Sequence, residues 1–190
     1  MTTRFLTLLT ASLLMVLFAA PAGASTNTQH RDHLTELEVE QIKETQILDK
    51  RIAVFVKTIE RRLRVITGTT SDTAKTQKKD VELYGELPQG SRAELIDDIA
   101  KILDEAITNI DDVSLRDDKS PLVPVALRLL ATEATRVVEQ LRPYQAQTNG
   151  VAEVASFEAV TENAESILAA ANKLPPPPAK EKKKSDKSKN

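Results

Sequence analysis

Leu95, Ile99, Ile102, Ala106, Ile110 and Val113 return every three or four residues, the interval that gathers side chains on one face of an α-helix. Ile52, Phe55, Val56, Ile59, Leu63 and Ile66 do the same, and so do Val123, Leu127, Leu130, Ala134, Val137 and Leu141. A fourth stripe runs through Phe157, Val160, Ala164, Ile167, Leu168, Ala171 and Leu174. No segment sustains the period-two alternation of a half-buried strand. The expected fold is therefore all-α: an antiparallel four-helix bundle with one long crossover loop.

Local signals place the ends. Thr35 and Glu38 have the spacing of a capping box, as do Ser91 and Glu94. Ser120 followed by Pro121 suits a third start, because proline at the first helical position gives up an N–H that has no partner anyway. The spacing predicts helices over about 35–67, 91–113, 121–142 and 151–173, within a domain of 35–174. Asp49 is placed to restart the first helix as a cap, and Pro143 to kink or end the third. The third stripe is widened by Leu122, Val125, Leu129 and Val138, which predicts the most buried helix of the set. Short links after the second and third helices imply that consecutive helices lie antiparallel and side by side.

The connection 68–90 is the exception. Its first half is polar and reads as disordered, and its second half carries Val81, Leu83, Tyr84 and Leu87, read as a hydrophobic clip that docks on its own bundle or offers a protein partner a surface. Outside the first 24 residues the aromatics are Phe55, Phe157, Tyr84 and Tyr144, so the core has to be aliphatic.

Residues 1–24 read as a leader. Arg4 precedes the apolar run Phe5 to Ala20, and Ala22-Gly23-Ala24 gives the small-x-small pattern of cleavage before Ser25. The run is shorter than the roughly 20 residues of a spanning helix, and no later stretch is long and apolar enough to span. The expectation is a secreted or periplasmic protein with no transmembrane span after cleavage. The chain has no cysteine, which excludes disulfides, thiolate chemistry and lipidation at a cysteine.

The net charge of −2 conceals a division. Residues 175–190, which open with the four prolines that follow Leu174, form a Pro/Lys-rich tail read as disordered, with Lys180, Lys182, Lys183, Lys184, Lys187 and Lys189 set against Glu181 and Asp186. The body is correspondingly acidic and poor in aromatics, so nucleic acid is not the expected partner. The anions of a cell envelope, lipid or polymer, are.

Residues that could carry chemistry are few. His30 and His33 could share a helical face and meet a metal ion, with Asp32 adding an oxygen, but they fall in a segment, 25–34, expected to be flexible. Asp111, Asp112, Asp117 and Asp118 crowd one turn without the spacing of a calcium loop. Lys57, Arg61 and Arg64 line one flank of the first helix and are expected to meet the acidic face carrying Asp97, Asp98, Asp104 and Glu105; Glu60 has the spacing to pair with Arg64. No nucleophile stands in a recognisable catalytic pattern and no glycine-rich phosphate loop occurs. No cofactor and no enzyme activity are expected.

The functional expectation is an exported, non-enzymatic interaction module, tethered by its tail, that meets a protein partner or a second copy through helix faces. The alternative is a periplasmic stress chaperone or cation-sensing helical protein. Leu34 to Ile42, "LTELEVEQI", resembles the Leu-Thr-x-x-Gln repeats of the small helical periplasmic chaperones, with its glutamine at Gln41 and in a single copy.

Overall fold

A computed structural model describes residues 31–69, 74–148 and 150–176 of the chain. The leader, His30 and the lysines of the tail lie outside the described residues. Those described form six helices and no strand: α1 (Glu36–Glu44), α2 (Leu48–Thr67), α3 (Ala74–Tyr84), α4 (Arg92–Arg116), α5 (Leu122–Gln145) and α6 (Val151–Ala171). Among the described residues no helix is long and apolar enough to cross a membrane.

Both capping boxes form. The Thr35 hydroxyl accepts from the Glu38 amide while the Glu38 carboxylate accepts from the Thr35 amide, and Ser91 and Glu94 repeat the exchange. Elsewhere the sequence expectations need correction. The single helix of 35–67 is two, broken at residues 45–47, where Thr45 turns its hydroxyl back to the Gln41 carbonyl at 2.8 Å. Asp49 is not the new cap; Ile47 holds that position without a side-chain bond, and Asp49 lies in the first turn. Ser120 does not cap α5, whose N-cap is Pro121. Pro143 sits inside the last turn of α5, which ends two residues later at Gln145. The proline has no N–H to give the carbonyl four residues back, and the helix ends within the same turn. The crossover 68–90 holds a helix of its own, α3.

Specific contacts set the directions of the four long helices. Arg51 bonds Asn109 and Arg62 faces Asp98, so α2 and α4 run antiparallel. Arg92 pairs with Glu153 and Asn163 donates to the Ala100 carbonyl, so α4 and α6 run parallel. α2 and α6 share no backbone contact, whereas α4 and α5 each touch both. The α4–α5 pair is thus the short diagonal of the arrangement, with α2 on one side and α6 on the other. Consecutive α4 and α5 are joined by a short link, yet each packs more extensively on α2 and on α6 than on the other.

The interior is aliphatic apart from Phe55 and Phe157, and it joins Ile52, Ile59, Leu63, Ile99, Leu103, Leu130, Val137 and Ile167. α4 buries nine residues against seven for α5, so α5 is not the most buried helix; Val125 on its broad face is half exposed. The short helices lie elsewhere. α1 packs on α2, and α3 packs on α1. They cover the side of α2 turned away from the central pair, which is the polar side of that helix.

Candidate interaction site

An amphipathic helix ordinarily leaves its charged face in water. α2 does not, because α1 and the 74–89 segment lie over it, and the consequence falls on Arg61 and Arg62. Both guanidinium groups are buried, at 0% and 1% exposure. Burying a cation without partners costs a large share of a domain's stability, so each has to be supplied with acceptors.

Glu38 supplies both. Its Oε1 accepts from Arg61 Nε at 2.9 Å and from Arg62 Nη1 at 2.7 Å, and its Oε2 accepts from Arg62 Nη2 at 2.8 Å as well as from the Thr35 amide. One carboxylate therefore caps α1 and fastens α1 to α2. Arg62 also donates to the Thr58 and His33 carbonyls, and its Nε lies 3.6 Å from Asp98 of α4. Arg61 turns the other way. Its Nη1 reaches Asp80 at 3.2 Å, and its Nη2 donates to the carbonyls of Tyr84, Gly85 and Glu86. Those carbonyls stand at and just past the C-terminus of α3, where a helix has no internal donors left and favours a cation. Consecutive arginines thus hold the segments that precede and follow α2 in the chain.

Asp80 is the hub of the second half. Lys57 Nζ lies 2.9 Å from one carboxylate oxygen, and Arg64 Nη2 lies 3.0 Å from the other. Burial pushes this carboxyl up, but the Lys57 hydrogen bond and the charges of Lys57, Arg64 and Arg61 outweigh it and hold the group below its ordinary value. A carboxylate kept ionised in this way is unsuited to general-acid work. The Tyr84 ring stands against the Arg61 guanidinium at 5.6 Å, and burial, with Asp80 adding to it, pushes the phenol up, so it remains neutral.

The basic flank read from the sequence is real, but its partner is not the acidic face of α4. Lys57, Arg61 and Arg64 converge on Asp80, and Asp98 alone of that face reaches the cluster, through Arg62. Glu60 reaches Lys57 and Arg136.

Between α2 and the 74–89 segment is a cavity of about 440 Å³. Val65, Val81 and Leu87 give it apolar walls, with Arg61, Arg64 and Asp80 at its polar side. The clip residues divide around it. Val81 and Leu87 line the cavity; Val81 and Leu83 are 44% and 39% exposed; Tyr84 is half-buried on Arg61. The segment is held by polar bonds and by the buried Pro88, rather than by the apolar residues that drew attention in the sequence.

At the other end of α1, His33 Nε2 lies 3.0 Å from a Glu105 oxygen, and Leu34 is buried against the core. The end of the segment 25–34 is therefore packed rather than loose, pulled in by the Arg62 bond to the His33 carbonyl. Among the described residues no cluster of three or more histidine or carboxylate side chains is arranged to hold a metal ion. The acidic turn leaves Asp111, Asp112, Asp117 and Asp118 exposed.

Sequence reasoning missed Glu38, Arg62 and Asp80. The capping box marked Glu38 for one bond only. The sequence carried one further signal, two adjacent arginines on a helix whose apolar stripe leaves them off the core face. No protein family, no curated protein and no solved structure matches this chain.

Proposed function

We propose that this chain is an exported, non-catalytic interaction module, whose 81–87 segment meets a protein partner and whose lysine tail keeps it near anionic envelope surfaces. The observation that carries the reading is the cavity between α2 and the 74–89 segment, with apolar walls and with Val81 exposed at its edge, Leu83 being exposed on the same helix. Apolar side chains left in water around a concave wall are what a partner's side chain would cover. The leader pattern of residues 1–24 supports export, and the charge division between acidic body and basic tail supports a tether.

Two comparisons test it. The full mature chain is expected to sediment with phosphatidylglycerol vesicles and not with phosphatidylcholine vesicles; a chain ending at Leu174 is expected to do neither. Equal sedimentation of both forms would remove the tether. Crosslinking in the envelope is expected to capture a protein that the double variant Val81→Ser, Leu83→Ser loses, while vesicle binding stays unchanged. A capture pattern identical in the two would remove the 81–87 segment from the interface.

A further inference from the structure

We propose that the 74–89 segment is a strap latched to α2 by the Asp80 carboxylate, and that freeing this carboxylate opens the cavity beneath it while the four long helices stay folded.

The attachment of α3 is of an unusual kind. From Lys75 to Tyr84, Asp80 is the one buried residue; Tyr84 is half-buried and the rest are exposed. No Cα of α3 comes within 8 Å of a Cα of α2, and the space between the two helices is the cavity. What crosses that space is polar: Lys57, Arg61 and Arg64 reach out from α2 and meet on Asp80, while Arg61 also holds the carbonyls of Tyr84, Gly85 and Glu86 at the far end of the helix, the end that stays fixed. The helix is 11 residues long, below the roughly 12–15 at which an isolated helix becomes even marginal in water. Its order therefore depends on what ties it down, and besides its packing on α1 the one buried side chain from Lys75 to Tyr84 is Asp80.

The body does not depend on the strap in return. Arg61 stays bonded to Glu38 whether or not Asp80 is present, so the post remains when the latch is released. The aliphatic core lies between α2, α4, α5 and α6, and no residue of α3 belongs to it. The strap has a firm end and a permissive one. Pro88 is buried behind it, and ahead of it Gly68 ends α2 at φ +65° with nothing within 4 Å of the place a Cβ would occupy.

Hydrogen exchange on the full chain at neutral pH tests the latch, with Asp80→Asn and the milder Lys57→Met as variants. In Asp80→Asn the amides of 74–84 are expected to exchange at least tenfold faster, and in Lys57→Met by a smaller factor, while α4, α5 and α6 keep their protection. Because the chain has no cysteine, Val65→Cys places a single thiol on the cavity wall. Its labelling rate is expected to rise by the same factor when Asp80→Asn is added. Unchanged exchange of 74–84 in both variants would overturn the proposal. So would loss of protection in α2, α4, α5 and α6 together with α3, since the segment would then be part of the common fold. Should Asp80→Asn not fold, Lys57→Met decides alone by the same two outcomes.

Discussion

Asp80 and Glu133 are both buried carboxylates beside cations, and they titrate in opposite directions. Asp80 has three cations from α2 and is held low. Glu133 has Arg136, bonded at 2.8 and 2.6 Å, but burial pushes its carboxyl up and outweighs that bond, and Glu60 opposite adds to the rise. The linkage differs in sign. Asp80 contributes stability that is fully present above its unfolded value of 3.8 and is lost as pH falls through its lower folded value. Glu133 contributes when protonated, and its contribution is lost as pH rises from its unfolded value of 4.5 through its higher folded value. Glu133→Gln removes the cost of ionisation and leaves an oxygen for Arg136 to bond. The variant is expected to be more stable than the parent in urea at pH 7, with the advantage shrinking toward pH 4. An advantage that is equal at both values would mean that Glu133 does not titrate in this way. At this scale the sequence was legible where a rule is local: Thr35 with Glu38 follows from a spacing of three. The second duty of Glu38, on arginines 23 and 24 residues away, follows only from which segments fold over α2, and no spacing rule contains that.

The elements were legible in proportion to their apolar stripes. α4, α5 and α6 each carry one, and so does α2. α3 has none: its sequence from Ala74 is AKTQKKDVELY, whose alanine, lysines, glutamine and leucine favour helix intrinsically but mark no buried face. A reading based on period finds nothing there, and the helix is held from outside by side chains of α2. Gly85 shows where that holding is tight. It follows α3 with φ +74°, its amide bonds the Val81 carbonyl, and its own carbonyl accepts from Arg61. A Cβ at this position would meet the Leu37 side chain at 3.0 Å. Gly85→Ala therefore combines left-handed strain, about 1–2 kcal/mol, with a crowded neighbour that has some freedom to move. Because the strain is local to the strap, it is expected to speed exchange of the 74–84 amides by roughly 5- to 30-fold, and to leave the global urea midpoint where it is. A shifted midpoint with α3 no faster than the other helices would place Gly85 in the common fold instead.

Across the whole molecule, the stripes determine that four long helices share a core, but not which of them touch. Short links suggested that each helix lies beside the next, and a short diagonal satisfies the same link equally well, since its ends are as close as those of neighbours. The α4–α5 link takes that diagonal, which leaves α2 and α6 apart on either side of the central pair. Only α2 then receives a second layer, from α1 and α3, and that asymmetry is what buries its arginines. The arrangement has a thermodynamic signature. Ile52 of α2 and Ile167 of α6 are both buried, at 0% and 1% exposure, toward the same end of α4, near Asn109 and Ile110. Ile→Val at either position is expected to cost about 0.5–1.5 kcal/mol. With the central pair between them, the double variant Ile52→Val, Ile167→Val should lose the sum of the two costs, to within about 0.5 kcal/mol. The three variants and the parent, unfolded in urea under one set of conditions, give the coupling directly. A coupling well beyond that margin would mean that the two side chains share packing, directly or through the central pair, and that the pair does not insulate α2 from α6.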